Sequence, residues 1–386
     1  MTQTLSALKA ASLAGSDQWQ PSFFRLSHEA DRLRLADVLA SPGLAVHDTV
    51  VSQLKELVKA LAPSVKFTPD ELAAEVLRHV GTGEMDHYGV WVHYPWSNRL
   101  VHLLDESEFV LVRTDRNRNK ITREEQAVLA KKRIGVIGLS VGQSIALTMA
   151  MERGFGEIRL ADFDTLDLSN LNRIRSGVHH LGLKKVVNVA REIMEIDPYL
   201  RVTLFPEGIT RDNIARFCTE GGKLDILVDE CDSVDVKVFC RQTSKALGIP
   251  VVMDTSDRGM IDVERFDLEP EREIFHGLLG AFDLEVMDLS DPKFRMSVAL
   301  AISGGFENLS ERMAISLPEI GRSLTTWPQL ASAVVQGGGN TTEVARKILL
   351  GQFNTSGRWH IDLEDLLVKA SAHGAAPAIQ HKKLMA

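Results

Sequence analysis

The chain has 386 residues, 44% apolar and 25% charged, with a net charge of −8. That composition suits two or three globular domains with a core large enough to need no staples, and it argues against a nucleic-acid scaffold. Three cysteines, Cys218, Cys231 and Cys240, form no C-x-x-C pair, which excludes a four-cysteine zinc site and fits a reducing compartment. No secretory leader and no apolar run of the ~20 residues that span a bilayer is apparent, so the expectation is a cytoplasmic protein with no membrane partner.

In chain order, the first 15 residues or so are small and polar and read as frayed. Residues 1–119 read as a separate α+β module. Helical periodicity runs over 47–62 and 69–81, the second with Pro69 in its first turn and Gly81 just past its end. Three β-like runs follow, 90–94, 100–104 and 109–113, and predict a small antiparallel meander. Trp19, Trp91, Trp96, Tyr88 and Tyr94 concentrate here. They suit either a recognition surface or the core of a small module, the latter slightly favoured.

From Lys120 the pattern alternates. A helix at 123–132 leads into strand 133–138, then helix 141–153, strand 157–162, helix 183–196 and strand 201–205. Helix 210–219, strand 225–230, helix 234–247 and strand 250–254 complete the series. The alternation predicts a Rossmann-like, doubly wound, mainly parallel α/β sheet over residues 120–270, with strand 261–268 added at an edge. Residues 271–386 read as a mixed region packing on that sheet. It carries helices at 328–338 and 341–351 and a loose tail from 371.

Four segments carry chemistry. In 133-RIGVIGLSVGQS-144 a strand runs through Gly135, Gly138, Ser140 and Gly142 into a helix, and such a turn offers free N–H groups to a phosphate. The spacing is neither G-x-G-x-x-G nor a Walker A loop. Asp162 ends the second strand, where a carboxylate binds ribose hydroxyls of NAD or ATP alike, with Asp164 beside it. Asn170, Asn172, Arg173 and Arg175 follow at once, a donor cluster suited to a triphosphate. Lys184 and Lys185 start a helix, where the dipole disfavours cations, so a lysine there is better explained by a nearby phosphate. Asp229, Glu230, Asp232 and Asp235 crowd the end of the fourth strand, and Asp232 can hold a magnesium ion on phosphate oxygens. Lys237 either offsets these acids or reaches the phosphates. Asp257 and Arg258 are weaker candidates for orienting a substrate, and His276 and the 337-GGGNTT-342 start weaker still.

The order G-L-S-V-G, L-A-D-F-D-T-L-D-L-S-N-L-N-R, G-L-K-K and D-E-C-D-S resembles the ThiF/MoeB superfamily, which includes the ubiquitin-activating enzymes, over about residues 113–268. The resemblance implies that Asp162 binds the ATP ribose, that Asn170, Arg173 and Lys185 contact the triphosphate, and that Asp232 holds Mg2+. It also implies a homodimer, with Arg116 or Arg118 reaching across to the partner's site. The glycine loop departs from the family's G-x-G-G-x-G by one residue. The paired-cysteine zinc site is missing, and no cysteine follows Cys240 to take a thioester.

These departures point to ATP-dependent adenylation of a substrate carboxylate without thiol transfer and without zinc. They resemble the zinc-free peptide-modifying type of microcin C and pantocin-type biosynthesis, in which an N-terminal module grips the peptide. An alternative is the tRNA threonylcarbamoyladenosine dehydratase type, whose D-x-x-D-S-V-x-x-K segment is similar to 229-DECDSVDVK-237. A third is an NAD-binding oxidoreductase or a non-catalytic nucleotide-binding regulator.

Overall fold

A computed structural model describes residues 17–280 and 292–372. The predicted frayed start and most of the predicted tail lie outside the described residues.

The N-terminal part contains β1 (Ser22–Phe24), α1 (Glu29–Leu39), β2 (Ala45–Asp48), α2 (Val50–Leu61), α3 (Pro69–Val80), β3 (Val90–Tyr94), β4 (Arg99–Leu103) and α4 (Glu106–Arg113). Its sheet runs β1-β3-β4-β2, with β2 parallel to β4 and the other pairs antiparallel. The predicted third strand at 109–113 is instead the end of α4. The acidic start Glu106 and Glu108 favours a helix N-terminus, and Phe109, Leu111 and Val112 pack onto Leu54, Leu57 and Leu72 of α2 and α3. Pro69 does open α3, and a reciprocal capping box between Thr68 and Glu71 fixes that start.

The remainder contains α5 (Arg123–Leu129), β5 (Arg133–Ile137), α6 (Gly142–Glu152), β6 (Glu157–Ala161), α7 (Lys185–Ile196) and β7 (Arg201–Phe205). It continues with α8 (Ile214–Thr219), β8 (Ile226–Asp229), α9 (Val234–Leu247), β9 (Val251–Thr255) and β10 (Met260–Glu264). Beyond these lie α10 (Pro292–Ile302), α11 (Glu311–Ser316), α12 (Ala331–Leu349), β11 (Gly357–His360) and α13 (Leu363–Ala372). The seven strands order as β11-β10-β9-β8-β5-β6-β7, parallel from β9 to β7. This is the predicted doubly wound sheet. β10 is not the edge, because β11 pairs outside it.

The chain steps from β5 out to β7 and then returns to β8 on the other side of β5. The switch point of the sheet therefore lies between the C-terminal ends of β5 and β8, where a ligand crevice opens in such folds. Residues far beyond the alternating region wall that crevice. α12 is one continuous helix, not the two predicted around Gly337–Gly339. Each internal glycine costs about 1 kcal/mol of helix propensity. Here the cost is offset by close approach: a Cβ at Gly338 would collide with Ser144 of α6, and one at Gly337 with the Asp254 carboxylate.

The N-terminal sheet does not form an isolated core. Val90, Val92 and Tyr94 belong to the same apolar cluster as Ile134, Val136 and Ile145 of the large sheet. The Tyr94 hydroxyl donates to the Met194 carbonyl at 3.3 Å, and Trp96 Nε1 donates to Glu195 Oε1 at 2.6 Å. Trp91 stacks on buried His102 with ring centroids 4.2 Å apart. Tyr94 and Trp96 thus dock the N-terminal sheet on α7.

Candidate active site: two cavities meeting at Asp232

Two cavities open at the switch point. The first, of about 570 Å3, is bounded by the β5 turn (Gly138, Ser140), the β6 end (Asp162, Asp164) and Lys185. The second, of about 220 Å3, lies over the ends of β8 and β9. Glu230, Cys231, Asp232, Val234, Ala299 and Trp327 border both.

The first cavity is built by the β5–α6 turn. Gly138 has φ +84°, and a Cβ there would sit 2.5 Å from the Glu230 carbonyl oxygen, so only glycine lets this turn lie against the end of β8. The Asp162 carboxylate, 8% exposed, accepts the Leu139 N–H at 2.7 Å and the Asp164 N–H at 2.8 Å. Burial raises its pKa above the usual range, against these two donors. Lys185, 7% exposed at the start of α7, pairs with Asp164 at 2.8 Å. A buried cation at a helix N-terminus opposes the dipole, and Asp164 is what holds it there. Arg173 Nε donates to Ser140 Oγ at 3.0 Å, so the donor cluster folds back onto the glycine turn.

The second cavity is roofed by residues after 290: Ala299 and Ile302 of α10, Ser303 just past its end, then Met313 and the Trp327–Gln329 stretch. The Asn172 side chain donates to the Gln329 carbonyl at 2.9 Å and ties this roof to the S-N-L-N-R turn. Asp232 stands exposed where the cavities meet, and its carboxylate has no hydrogen bond or ion pair among the described residues.

Residues 114–290 match the ThiF family. This stretch is a ThiF-family domain. An uncharacterized protein of Mycobacterium tuberculosis, MT1398, is 45% identical over 277 residues, which is 72% of this chain and 38% of that protein. The tRNA threonylcarbamoyladenosine dehydratase of Escherichia coli K12 is 31% identical over 140 residues, covering 35% of this chain and 50% of that enzyme. The chain therefore spans half or less of the length of these two curated relatives. The solved E. coli dehydratase TcdA in complex with ATP aligns at a TM-score of 0.46 and 21% identity, over 62% of this chain and 94% of that one.

Within the ThiF-family domain, Gly138, Ser140, Asp162, Asp164, Lys185 and Asp232 converge on the first cavity, and Arg173 lies on the second. Gly142 opens α6 and packs on Val136. Gly135 lies in mid-strand under Phe217 and Leu224, so its role is packing. Asn170 is buried and lines neither cavity, and its Oδ1 accepts the Asp167 N–H at 3.0 Å. Arg116 and Arg118 lie on a short turn that borders neither cavity, and Arg118 pairs with Asp115 at 3.0 Å.

Several predicted acids have structural partners. Asp229 does not face the crevice. It is fully buried and bound to Arg241 and Lys237, which hold its carboxyl down at about 2 despite its burial. Lys237 thereby offsets the acids and does not extend toward the first cavity. Asp235 lies in the first turn of α9, bonded to Ser233. Asp257 receives the Ser310 N–H at 2.9 Å and the Ser310 hydroxyl at 2.6 Å, while Arg258 pairs with Asp362 and Asp365. His276 bonds Asp262 at 3.0 Å. Cys218 and Cys240 are buried, and burial pushes the Cys231 and Cys240 thiols well above their usual range, opposite to a nucleophile's need.

Sequence reasoning missed Asp254, Trp327 and the α10 wall. Asp254 carries a readable signal, since it lies near the C-terminal end of a parallel strand. The roof carries none, because nothing in residues 290–330 marks a fold-back onto the sheet.

Proposed function

We propose that this chain adenylates a carboxylate with ATP, the first cavity holding the nucleotide and the second the acyl substrate. The observation that carries this reading is the shared wall from Glu230 to Val234, with Asp232 at the junction. A nucleotide lying along the switch point and an acid lying over β8–β9 meet there, which is the geometry of attack at the α-phosphorus.

In this reading Asp162 receives the ribose hydroxyls, while Lys185, Arg173 and Asn170 stabilise charge on the triphosphate. Ser140 and the N–H groups at the start of α6, by Gly142, receive a phosphate. No group of three or more metal-ligating side chains occurs among the described residues. Magnesium seldom needs such a cage: one or two carboxylates plus substrate phosphates suffice, and Asp232 fits that role. The ion would neutralise phosphate charge. The chain's own residues position the carboxylate and exclude water, and catalysis comes from orientation and electrostatics without a covalent nucleophile.

The second cavity admits a small carboxylate or the terminal residue of a peptide. Peptide recognition by the N-terminal sheet would have to use a face other than that of Tyr94 and Trp96, which are occupied on α7. Deleting that module would uncover the apolar cluster of the large sheet that Val90, Val92 and Tyr94 pack with, so single surface substitutions are the cleaner test. Leu168 and Val178, each 69% exposed near the S-N-L-N-R turn, offer a second copy an apolar surface. A homodimer would let Arg116 or Arg118 act across it, and sedimentation should then show two chains per particle. No helix among the described residues is long and apolar enough to cross a membrane.

Product analysis tests the reaction. ATP with substrate should yield AMP and pyrophosphate, and ATP should raise the melting temperature where NAD does not. ADP and phosphate as the products would reject adenylation.

A further inference from the structure

The second cavity contains an acid with no partner. Asp254 is only 5% exposed, and neither carboxylate oxygen has a hydrogen-bond partner among the described residues. Leaving a buried carboxylate unpaired costs several kcal/mol. Burial accordingly pushes its pKa up to about 7. Its own N–H donates to Glu230 Oε1 at 2.8 Å, which places a second buried carboxyl beside it.

The cations nearby are committed elsewhere. Lys237 lies 3.3 Å from Asp229 and donates to its carbonyl, and Arg173 serves Ser140 and Asn172. α12 brings the backbone at Gly337 against the Asp254 carboxylate, and a mid-helix N–H is already spent within the helix. Among the acids on this cavity, Asp257 is satisfied by Ser310. What remains is a small chamber rich in carboxyl groups, in which Asp254 is buried and unmatched.

We propose that the acyl substrate carries a primary ammonium group as well as its carboxylate, and that Asp254 receives the ammonium. The class is that of amino acids and their short-chain homologues. This rests on the adenylation reading for the carboxylate half only. The cation-binding half stands on Asp254 and its surroundings. With the ammonium on Asp254, the carboxylate end is left to face Asp232 and the nucleotide. A matched ammonium relieves the buried acid, which makes an uncharged isostere a poor substitute.

The test uses the full chain with n-propylammonium as a cation probe, propan-1-ol as its neutral counterpart, and ATP as a separate ligand, each titrated by NMR. The wild type should bind propylammonium at least tenfold tighter than propan-1-ol. Asp254→Asn should abolish that preference and still bind ATP within about twofold. Equal binding of the two probes by the wild type would overturn the proposal, as would an unchanged preference in Asp254→Asn. If that variant fails to fold, the wild-type preference decides alone. If ATP fails to bind while the propylammonium preference holds, the adenylation reading falls and the cation site stands.

Discussion

The two cavities that meet at Asp232 are built in different ways. The first is framed mainly by turns between about residues 137 and 236, each at the end of a successive strand, with α10 and Trp327 closing one side, and its polar groups are tied into a local network: Asp162 to the glycine turn, Asp164 to Lys185, Arg173 to Ser140. The second draws on β8, β9, β10, α10, α11 and β11, and its central acid has no partner. A preformed network suits a ligand common to many enzymes, whereas an unmatched group suits a ligand particular to one. The difference predicts that substitutions will separate nucleotide use from acyl-substrate use.

Asp232 belongs to both cavities, and Asp232→Ala should have the largest effect. Adenylation should fall by about 100-fold or more, the usual loss when a charge-stabilising group leaves a transition state. ATP affinity should fall far less, and a rate measured at saturating ATP would reveal the split. An unchanged rate would remove Asp232 from the chemistry.

Ser303→Trp sharpens the comparison from the other side. Ser303 lines only the second cavity, and an indole would fill much of its 220 Å3. The KM for the acyl substrate should rise more than tenfold while the KM for ATP stays within about twofold. Equal rises in both would show that the two cavities work as one.

A smaller effect belongs to the support of the first cavity. Glu192 of α7 is half-buried, accepts from Gln143 at 2.9 Å and Asn188 at 2.8 Å, and desolvation pushes its carboxyl up to about 7. A carboxyl raised in the folded state costs nothing below its unfolded pKa near 4.5 and destabilises the fold as pH rises from there to about 7. Glu192→Gln keeps both hydrogen bonds without the charge. Its melting temperature should exceed the wild type's by several degrees at pH 8 and match it at pH 4.5, a shift of up to about 3 kcal/mol. Identical pH profiles for the two proteins would contradict this.

The contrast also decides what was legible in the sequence. β5 to β9 and their helices followed from alternating periodicity, Asp162 and Asp232 were singled out by the rule that strand ends face the ligand, and Lys185 by its unfavourable place at a helix start. Asp229 obeyed the same rule and still turned inward, because Arg241, twelve residues on, is itself buried and takes it. The 109–113 run has strand composition, yet the acids before it and the packing on α2 and α3 make it a helix. α12 could not be read as one helix, since its glycines have a purpose only once α6 and Asp254 are seen against them. The roof of the second cavity is purely tertiary and left no local trace.

ATP–pyrophosphate exchange across a panel of carboxylates is the most direct test of the central claim. The account predicts exchange that depends on both magnesium and an added carboxylate, strongest with acids that carry an amine. Phosphate release from ATP without any carboxylate-dependent exchange would contradict it.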